Sequence, residues 1–374
     1  MNIETKLLKG DEKVIFELRS LYEKYGYSQY KMSKFEEYDL YVRNKDFLVS
    51  DNIITFTDTN GKLMALKPDV TLSIIKNSKD IPEITQKVYY DENVYRISKN
   101  TDSFKEILQV GLECVGNVDD WCIYEVLTLA AESLSVISDD YVLDVSHMGI
   151  IKDLVQKLDL SIDGEKEILK ALGEKNTHQI KAICEENDCS NDLSVKICEL
   201  ANLYGKANEV MPRIKELASD FAPDSIAQLE KLTSILSDSG YGDKIHIDFS
   251  VVNDMGYYNG IVFTGFVNGV PEGVLSGGQY DKLLKKMNRK SKAIGFAVYP
   301  DTLERLMTEN LEYDIDTVIL YSENTDLKTL SDAVKMMTSS GKSVTAQREV
   351  PAKLRYRQLL KMNDKGVEII ENNA

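Results

Sequence analysis

The stretch from about residue 150 to 240 constrains this chain more than any other, because the pattern on either side of it does not run through it. Before it, runs rich in β-branched and aromatic residues alternate with turns. Runs at 53–58 and 62–66 flank Asn60-Gly61, a pair that tolerates positive φ and marks a hairpin. Further strands are expected at 86–90, 94–98 and 107–115, then a helix over 119–137 and a strand over 141–146. Within 150–240 the apolar residues fall at helical spacing, as in the run from Ser194 to Leu203. Strand patterns return at 244–252, 258–267 and 270–276, with Asn268-Gly269 as a turn. Two sheet-forming halves around a helical excursion predict one discontinuous domain.

An amphipathic helix is expected over 11–25, with Val14, Leu18, Leu21, Tyr22 and Tyr25 three or four residues apart and Gly26 ending it. From about residue 313 a separate short unit follows: a strand over 316–321, a helix over 326–340, a strand over 342–347 and a candidate last strand over 366–370. At about 60 residues it is small for an independent domain. The fold class is α+β.

Composition enters as a set of exclusions. With 43% apolar residues in 374, the chain can bury a substantial core. No apolar run reaches the ~18 residues of a membrane span, and Met1 to Lys6 lacks a signal-peptide layout. Five cysteines without zinc-type spacing suggest buried free thiols and a reducing cytoplasm. His178 and His246 lack metal-ligand spacing, so no metal is expected. A net charge of −16 argues against nucleic acid as a partner, because phosphate neutralisation needs Lys and Arg. The basic clusters at 282–292 and 353–357 are more simply solvated.

Two segments carry candidate chemistry. Gln109, Gly111 and Glu113 alternate, so they share one face of a strand, with Val110, Leu112 and Cys114 on the other. A glutamine and a carboxylate flanking a glycine suit an ammonium group, although an ordinary strand shows the same alternation. Pro68 fixes its own φ and biases Lys67 towards extension, which presents Asp69 and Thr71 at a strand end. An ordinary turn with Thr71 as a helix cap accounts for that segment equally well.

The runs 56–58 and 65–71, Glu92 to Ser98, Phe104 to Gly116, Val251 to Phe263, Ser276 to Asp281 and Ala293 to Thr302 stand in an order that resembles the histidyl-tRNA synthetases, over roughly residues 1–310. The resemblance implies a class II aminoacyl-tRNA synthetase-like antiparallel sheet core with a helical insertion, and a short C-terminal α/β unit at 313–374 like a truncated anticodon-binding domain. It implies histidine-binding positions at Asp69, Thr71, Gln109, Glu113, Tyr257 and Tyr258, the first four around the ammonium and the tyrosines at the imidazole. Arg96 matches the arginine that meets the ATP α-phosphate. Asn253 and Thr302 stand where the family has its other two catalytic arginines. Ser98 replaces an acid and Ser33 a proline near the dimer interface. A register shift that would rescue Arg305 is opposed by Pro300, which fixes the helix start.

Losing one preorganised charge-stabilising donor costs roughly 100- to 1000-fold in rate. Two independent losses would cost ~10⁴-fold or more, although such effects need not add. Amino-acid binding rests on other residues and can persist. The resemblance is therefore to the family's regulatory branch, which the run Asp144-Val145-Ser146-His147-Met148-Gly149 also matches, with His147 structural. What that branch implies is a protein with no catalytic residues and no cofactor of its own. It would bind L-histidine, dimerise, and join the short-form catalytic subunit of ATP phosphoribosyltransferase, with hetero-octamers expected from the family and Mg²⁺ only on the partner. It would carry feedback inhibition in the first step of histidine biosynthesis. The rivals are a divergent histidyl-tRNA synthetase, disfavoured by Asn253, Thr302, charge and the short tail, and an aminoacyl-adenylate ligase paralogue, kept open by Arg96.

Overall fold

The computed structural model describes residues 10–44, 53–81, 83–97, 103–251, 257–303, 312–363 and 366–373. Two compact units divide the chain, residues 1–307 and 308–374.

The first unit opens with α1 (Gly10–Lys24), which buries Val14, Leu18 and Tyr22 and stops at Gly26, whose φ of +81° an L side chain resists. Next come β1 (Ser28–Gln29), β2 (Phe35–Glu37), α2 (Tyr38–Arg43), β3 (Thr55–Thr57), β4 (Leu63–Leu66) and α3 (Thr71–Asn77). The long strands β5 (Gln86–Ile97) and β6 (Phe104–Gly116) lead into α4 (Asp120–Ile137) and β7 (Tyr141–His147). The insertion holds α5 (Met148–Lys157), α6 (Ile162–Gly173), α7 (Thr177–Glu186), α8 (Asn191–Asn202), β8 (Tyr204–Lys206), α9 (Ala207–Ala218) and α10 (Pro223–Leu236). The chain then returns as β9 (Ile245–Asp248), β10 (Ile261–Val267), β11 (Leu275–Gln279), α11 (Asp281–Lys286), β12 (Lys292–Val298) and a 3-10 turn at Pro300–Leu303.

These strands make a nine-stranded sheet in the order β1-β5-β6-β12-β11-β10-β7-β9-β8. Only β1/β5 and β7/β9 are parallel. Strands from after the insertion thus lie between strands from before it. One face carries Leu112, Cys114, Phe263 and Phe296, which pack with Tyr22 of α1 and Val126 and Ala130 of α4 in the main core. The opposite face carries small and polar residues in its centre, and there the candidate site lies. The hairpin β3/β4 pairs with β2 in a separate three-stranded sheet, with Gly61 at φ +80° in its turn.

Several elements differ from expectation. The strands at 86–90 and 94–98 are one, because the β5/β6 ladder runs unbroken from Gln86↔Val115 to Ile97↔Phe104. Its polar centre, Asp91-Glu92-Asn93, is tolerated because only the two residues of β1 lie beyond β5. Within the helical stretch, β8 pairs with β9 and supplies the last strand of the sheet. Strand β9 ends at Asp248, whose carboxylate accepts from the Ser250 N–H at 2.8 Å and turns the chain. Tyr258 precedes β10, which begins only at Ile261, and 270–274 turns before β11 begins.

The second unit has β13 (Ile315–Leu320), α12 (Leu327–Ser339), β14 (Val344–Gln347), β15 (Tyr356–Asn363) and β16 (Gly366–Asn372) in a four-stranded sheet ordered β14-β13-β15-β16. Strand β15 was not expected. A register irregularity between Leu359 and Leu360 buries both leucines, which breaks the period of two that marks a strand. Ile319, Leu330, Leu360 and Met362 form this unit's own small core.

All five cysteines are free thiols, and only Cys189 is not fully buried. No helix among the described residues is long and apolar enough to cross a membrane.

Candidate functional site

The site is built on the open face of β6 and β12. On β6, Gln109, Gly111 and Glu113 share that face as the alternation requires, and Glu113 is 2% exposed. Opposite Glu113 stands Gly295 of β12, which in turn faces Gly278 of β11. A Cβ on Gly295 would collide with Glu113 Oε2, so the glycine is what allows the carboxylate to lie flat over the sheet. The space beside Gly111 is not open. The Tyr90 hydroxyl and the Phe296 carbonyl take it.

Glu113 is held at both oxygens. Thr71 Oγ1 donates to Oε1 at 2.7 Å, and the Tyr280 hydroxyl donates to Oε2. Burial raises its carboxyl to about 8; the Tyr280 and Thr71 bonds pull the other way, and nearby Asp69 adds to the rise. Burial also keeps Tyr90, Tyr257 and Tyr280 far above the usual phenol range, so their hydroxyls remain donors.

Asp69 and Thr71 divide the work at the start of α3. Asp69 Oδ1 accepts from the Leu72 N–H at 2.8 Å, which is the role of a helix-start acceptor. That frees the Thr71 hydroxyl to reach Glu113, so Thr71 is not the cap. Burial raises the Asp69 carboxyl, while the Leu72 N–H and Arg96 oppose the rise. Arg96 of β5 donates from Nε to the Pro68 carbonyl at 3.0 Å. Among the described residues this is its only hydrogen bond, so both terminal guanidinium nitrogens remain for an anion. The buried Gln109 amide likewise makes no hydrogen bond among the described residues. Beside it Lys67, fully buried, pairs with Glu92 at 2.8 Å.

Tyr257 and Tyr258 lie over this floor. Their rings meet edge to face at 4.7 Å, and Tyr257 also lies 5.6 Å from Tyr280. Tyr258 covers Gly278, and both tyrosines are half-buried. The structure thus gathers Asp69, Thr71, Glu113 and Tyr257 around one point, with the Arg96 charge near enough for Asp69 to feel it and Gln109 farther along the Glu113 face.

Of the two replaced cation positions, Asn253 lies outside the described residues, as do Ser98 and Arg305, the arginine that a register shift would bring into play. Thr302 turns its hydroxyl to the Tyr299 carbonyl at 2.7 Å inside the 3-10 turn that Pro300 begins. Ser33 Oγ accepts from the Phe35 N–H in a local turn. Two residues were missed. Tyr280 sits within the quoted run 276–281, but its aim depends on Asp281, which accepts from the Ala293 N–H at 3.0 Å and ties the end of β11 to β12. Tyr90 had no usable signal, because Tyr89-Tyr90 on a strand does not tell which ring faces the site. His147 is buried and fully bonded: Nδ1 accepts from the Gly149 N–H at 3.0 Å and Nε2 meets Gln228 at 2.9 Å. No cluster of metal-ligating side chains occurs among the described residues.

The arrangement offers two acidic groups and aromatic walls to a cationic nitrogen, with one guanidinium for an anion nearby. It suits a zwitterion carrying an aromatic or imidazole group. Comparisons agree with the frame. A family model described as histidyl-tRNA synthetase matches residues 7–303. An ATP phosphoribosyltransferase regulatory subunit of Oceanobacillus iheyensis is 26% identical over 95% of this chain and 89% of its own length. A histidine–tRNA ligase of Methanococcus maripaludis is 29% identical over 91% of this chain and 83% of its own. Among solved structures, an ATP phosphoribosyltransferase regulatory subunit/histidyl-tRNA synthetase of Bacillus halodurans shares the fold, with a TM-score of 0.76 at 21% identity over 94% of this chain and 93% of that one.

Proposed function

This chain belongs to the histidyl-tRNA synthetase family, and we propose that within it the chain is the regulatory subunit of ATP phosphoribosyltransferase rather than a ligase. The observation that carries the proposal is the paired character of the site. The groups that would hold an amino acid are assembled around Glu113, whereas Thr302, at a catalytic arginine's position, is a neutral side chain bonded to its own backbone. The name of the Oceanobacillus relative supports the same branch.

In this reading L-histidine places its ammonium against Asp69, Thr71, Gln109 and Glu113, its imidazole against Tyr257 and Tyr258, and its carboxylate towards Arg96. The chain performs no reaction alone. It dimerises and joins the short-form catalytic subunit in a cytoplasmic hetero-octamer, and the phosphoribosyl transfer with its Mg²⁺ belongs to that partner. Feedback requires histidine to favour one state of the assembly, typically by ~1–3 kcal/mol.

Titration calorimetry with L-histidine, alongside histidine-dependent exchange of pyrophosphate into ATP, tests the proposal. Binding without exchange is expected. Exchange above background and abolished by Arg96→Ala would instead favour the ligase reading, which the Methanococcus relative and the retained Arg96 represent.

A further inference from the structure

The one tryptophan of the chain is on the surface. Trp121, in the first turn of α4, is 63% exposed, which is unusual for the largest apolar side chain. Its ring lies 5.5 Å from that of Tyr124, whose hydroxyl meets Ser239 Oγ at 2.9 Å. Thr85 Oγ1 donates to the Asn117 carbonyl at 3.2 Å, which brings the loop carrying Ile84, 53% exposed, to the segment just before α4. On its other side the turn borders a cleft of about 410 Å³ lined by Asp120, His147, Asp224, Ser225, Gln228 and Lys231. An exposed Trp backed by a half-buried Tyr that packs on the core, beside a cleft, has the make-up of an interface anchor, and Trp and Tyr dominate binding energy at such places.

Charge selects the occupant. Asp119 and Asp120 directly precede Trp121, Asp224 lines the cleft with Asp120, and Asp238 precedes the Ser239 that Tyr124 meets, against Lys231, which bonds Asp120 at 2.7 Å, and Lys292, which Asp120 also feels. A second copy of this chain would set the same carboxylates against one another. A partner offering an apolar side chain ringed by Lys or Arg would find both a seat and compensation. We infer that the Trp121–Tyr124 patch is the docking surface for a basic face of the catalytic subunit. This rests on the regulatory reading given above and assigns the surface that the reading leaves open.

The test uses the full chain and the short catalytic subunit of the same organism. Because Trp121 is the only tryptophan here, its emission reports the patch directly, and a Trp121→Phe chain supplies the partner's own background. The expected result is a blue shift on mixing. Trp121→Ala and the double change Asp224→Lys, Asp238→Lys should each weaken the complex by about tenfold or more, with circular dichroism and L-histidine affinity unaltered. Wild-type affinity in Trp121→Ala, with emission unmoved on mixing, would overturn the inference and leave the regulatory reading standing. Failure of the unaltered chain to co-elute with the catalytic subunit would overturn both. A homodimer that Trp121→Ala converts to monomer would identify a second copy as the occupant and overturn the inference alone.

Discussion

At the scale of single residues, Glu113 is the point on which the site turns. Its carboxyl is raised in the folded chain, so the folded state binds more protons than the unfolded one between the ordinary carboxyl range and about 8. Its contribution to stability is therefore complete at low pH and is lost as pH rises towards 8. Asp144, raised to about 7 by burial and by Asp248 against the opposing pull of Lys175, acts in the same direction over a narrower window. Urea titrations of the unliganded chain should show stability falling from about pH 5 to 8, and Glu113→Gln should flatten that slope; an unchanged slope would remove Glu113 as its source. A cationic ligand prefers the ionised carboxylate, so histidine should bind more tightly as pH approaches 8 and should release a proton, visible as a buffer-dependent heat in calorimetry. Glu113→Gln should weaken binding by about 10- to 150-fold, the equivalent of a charge-assisted contact of roughly 1.5–3 kcal/mol. A methyl group at Gly295 meets the same carboxylate and the Leu112 carbonyl. Gly295→Ala should accordingly abolish measurable histidine binding, and retained affinity would show that Glu113 can be displaced without consequence.

At the scale of elements, the best-read pieces were those whose pattern is local. Helix α1 declares itself through Leu18 and Tyr22, the hairpin through Asn60-Gly61, and α4 through a continuous apolar face ending at Ile137. The face shared by Gln109 and Glu113 was also legible, because a strand fixes it without knowledge of its neighbours. What depends on neighbours was not legible. Tyr280 and Tyr90 enter the site only through the registers of β11 and β5, and Gly111 looked open until Tyr90 was placed. Strand β8 is too short to carry a pattern, and β15 hides behind the irregularity at Leu359–Leu360. Because β15 lies between β13 and β16 and supplies two of the second unit's core residues, its burial is testable. Leu360→Ala should cost about 2–5 kcal/mol, the usual result of a large-to-small core change. Hydrogen exchange should then show protection falling over 315–320 and 356–363. Protection equal to that of the unaltered chain would mean that β15 is not a core strand.

At the scale of the whole molecule, the interleaved strand order has a consequence for how the chain is made. The edge of β6 that receives β12 must wait from Gly116 until Lys292 has been synthesised, roughly 175 residues later. At about 5–20 residues per second that is on the order of 10–35 s on the ribosome. Throughout that interval β6 and β7 present apolar faces and open hydrogen-bonding edges, while the helices that follow them are already free to form. A ribosome-stalled chain ending near residue 240 should be cut readily by protease within 86–147 yet resist over the helical segment. Equal resistance across both would show that the first-half strands can settle without their later neighbours. A nascent chain of this design is a natural client for a holding chaperone, and premature termination within the insertion yields a product with exposed strand edges and no route to close them.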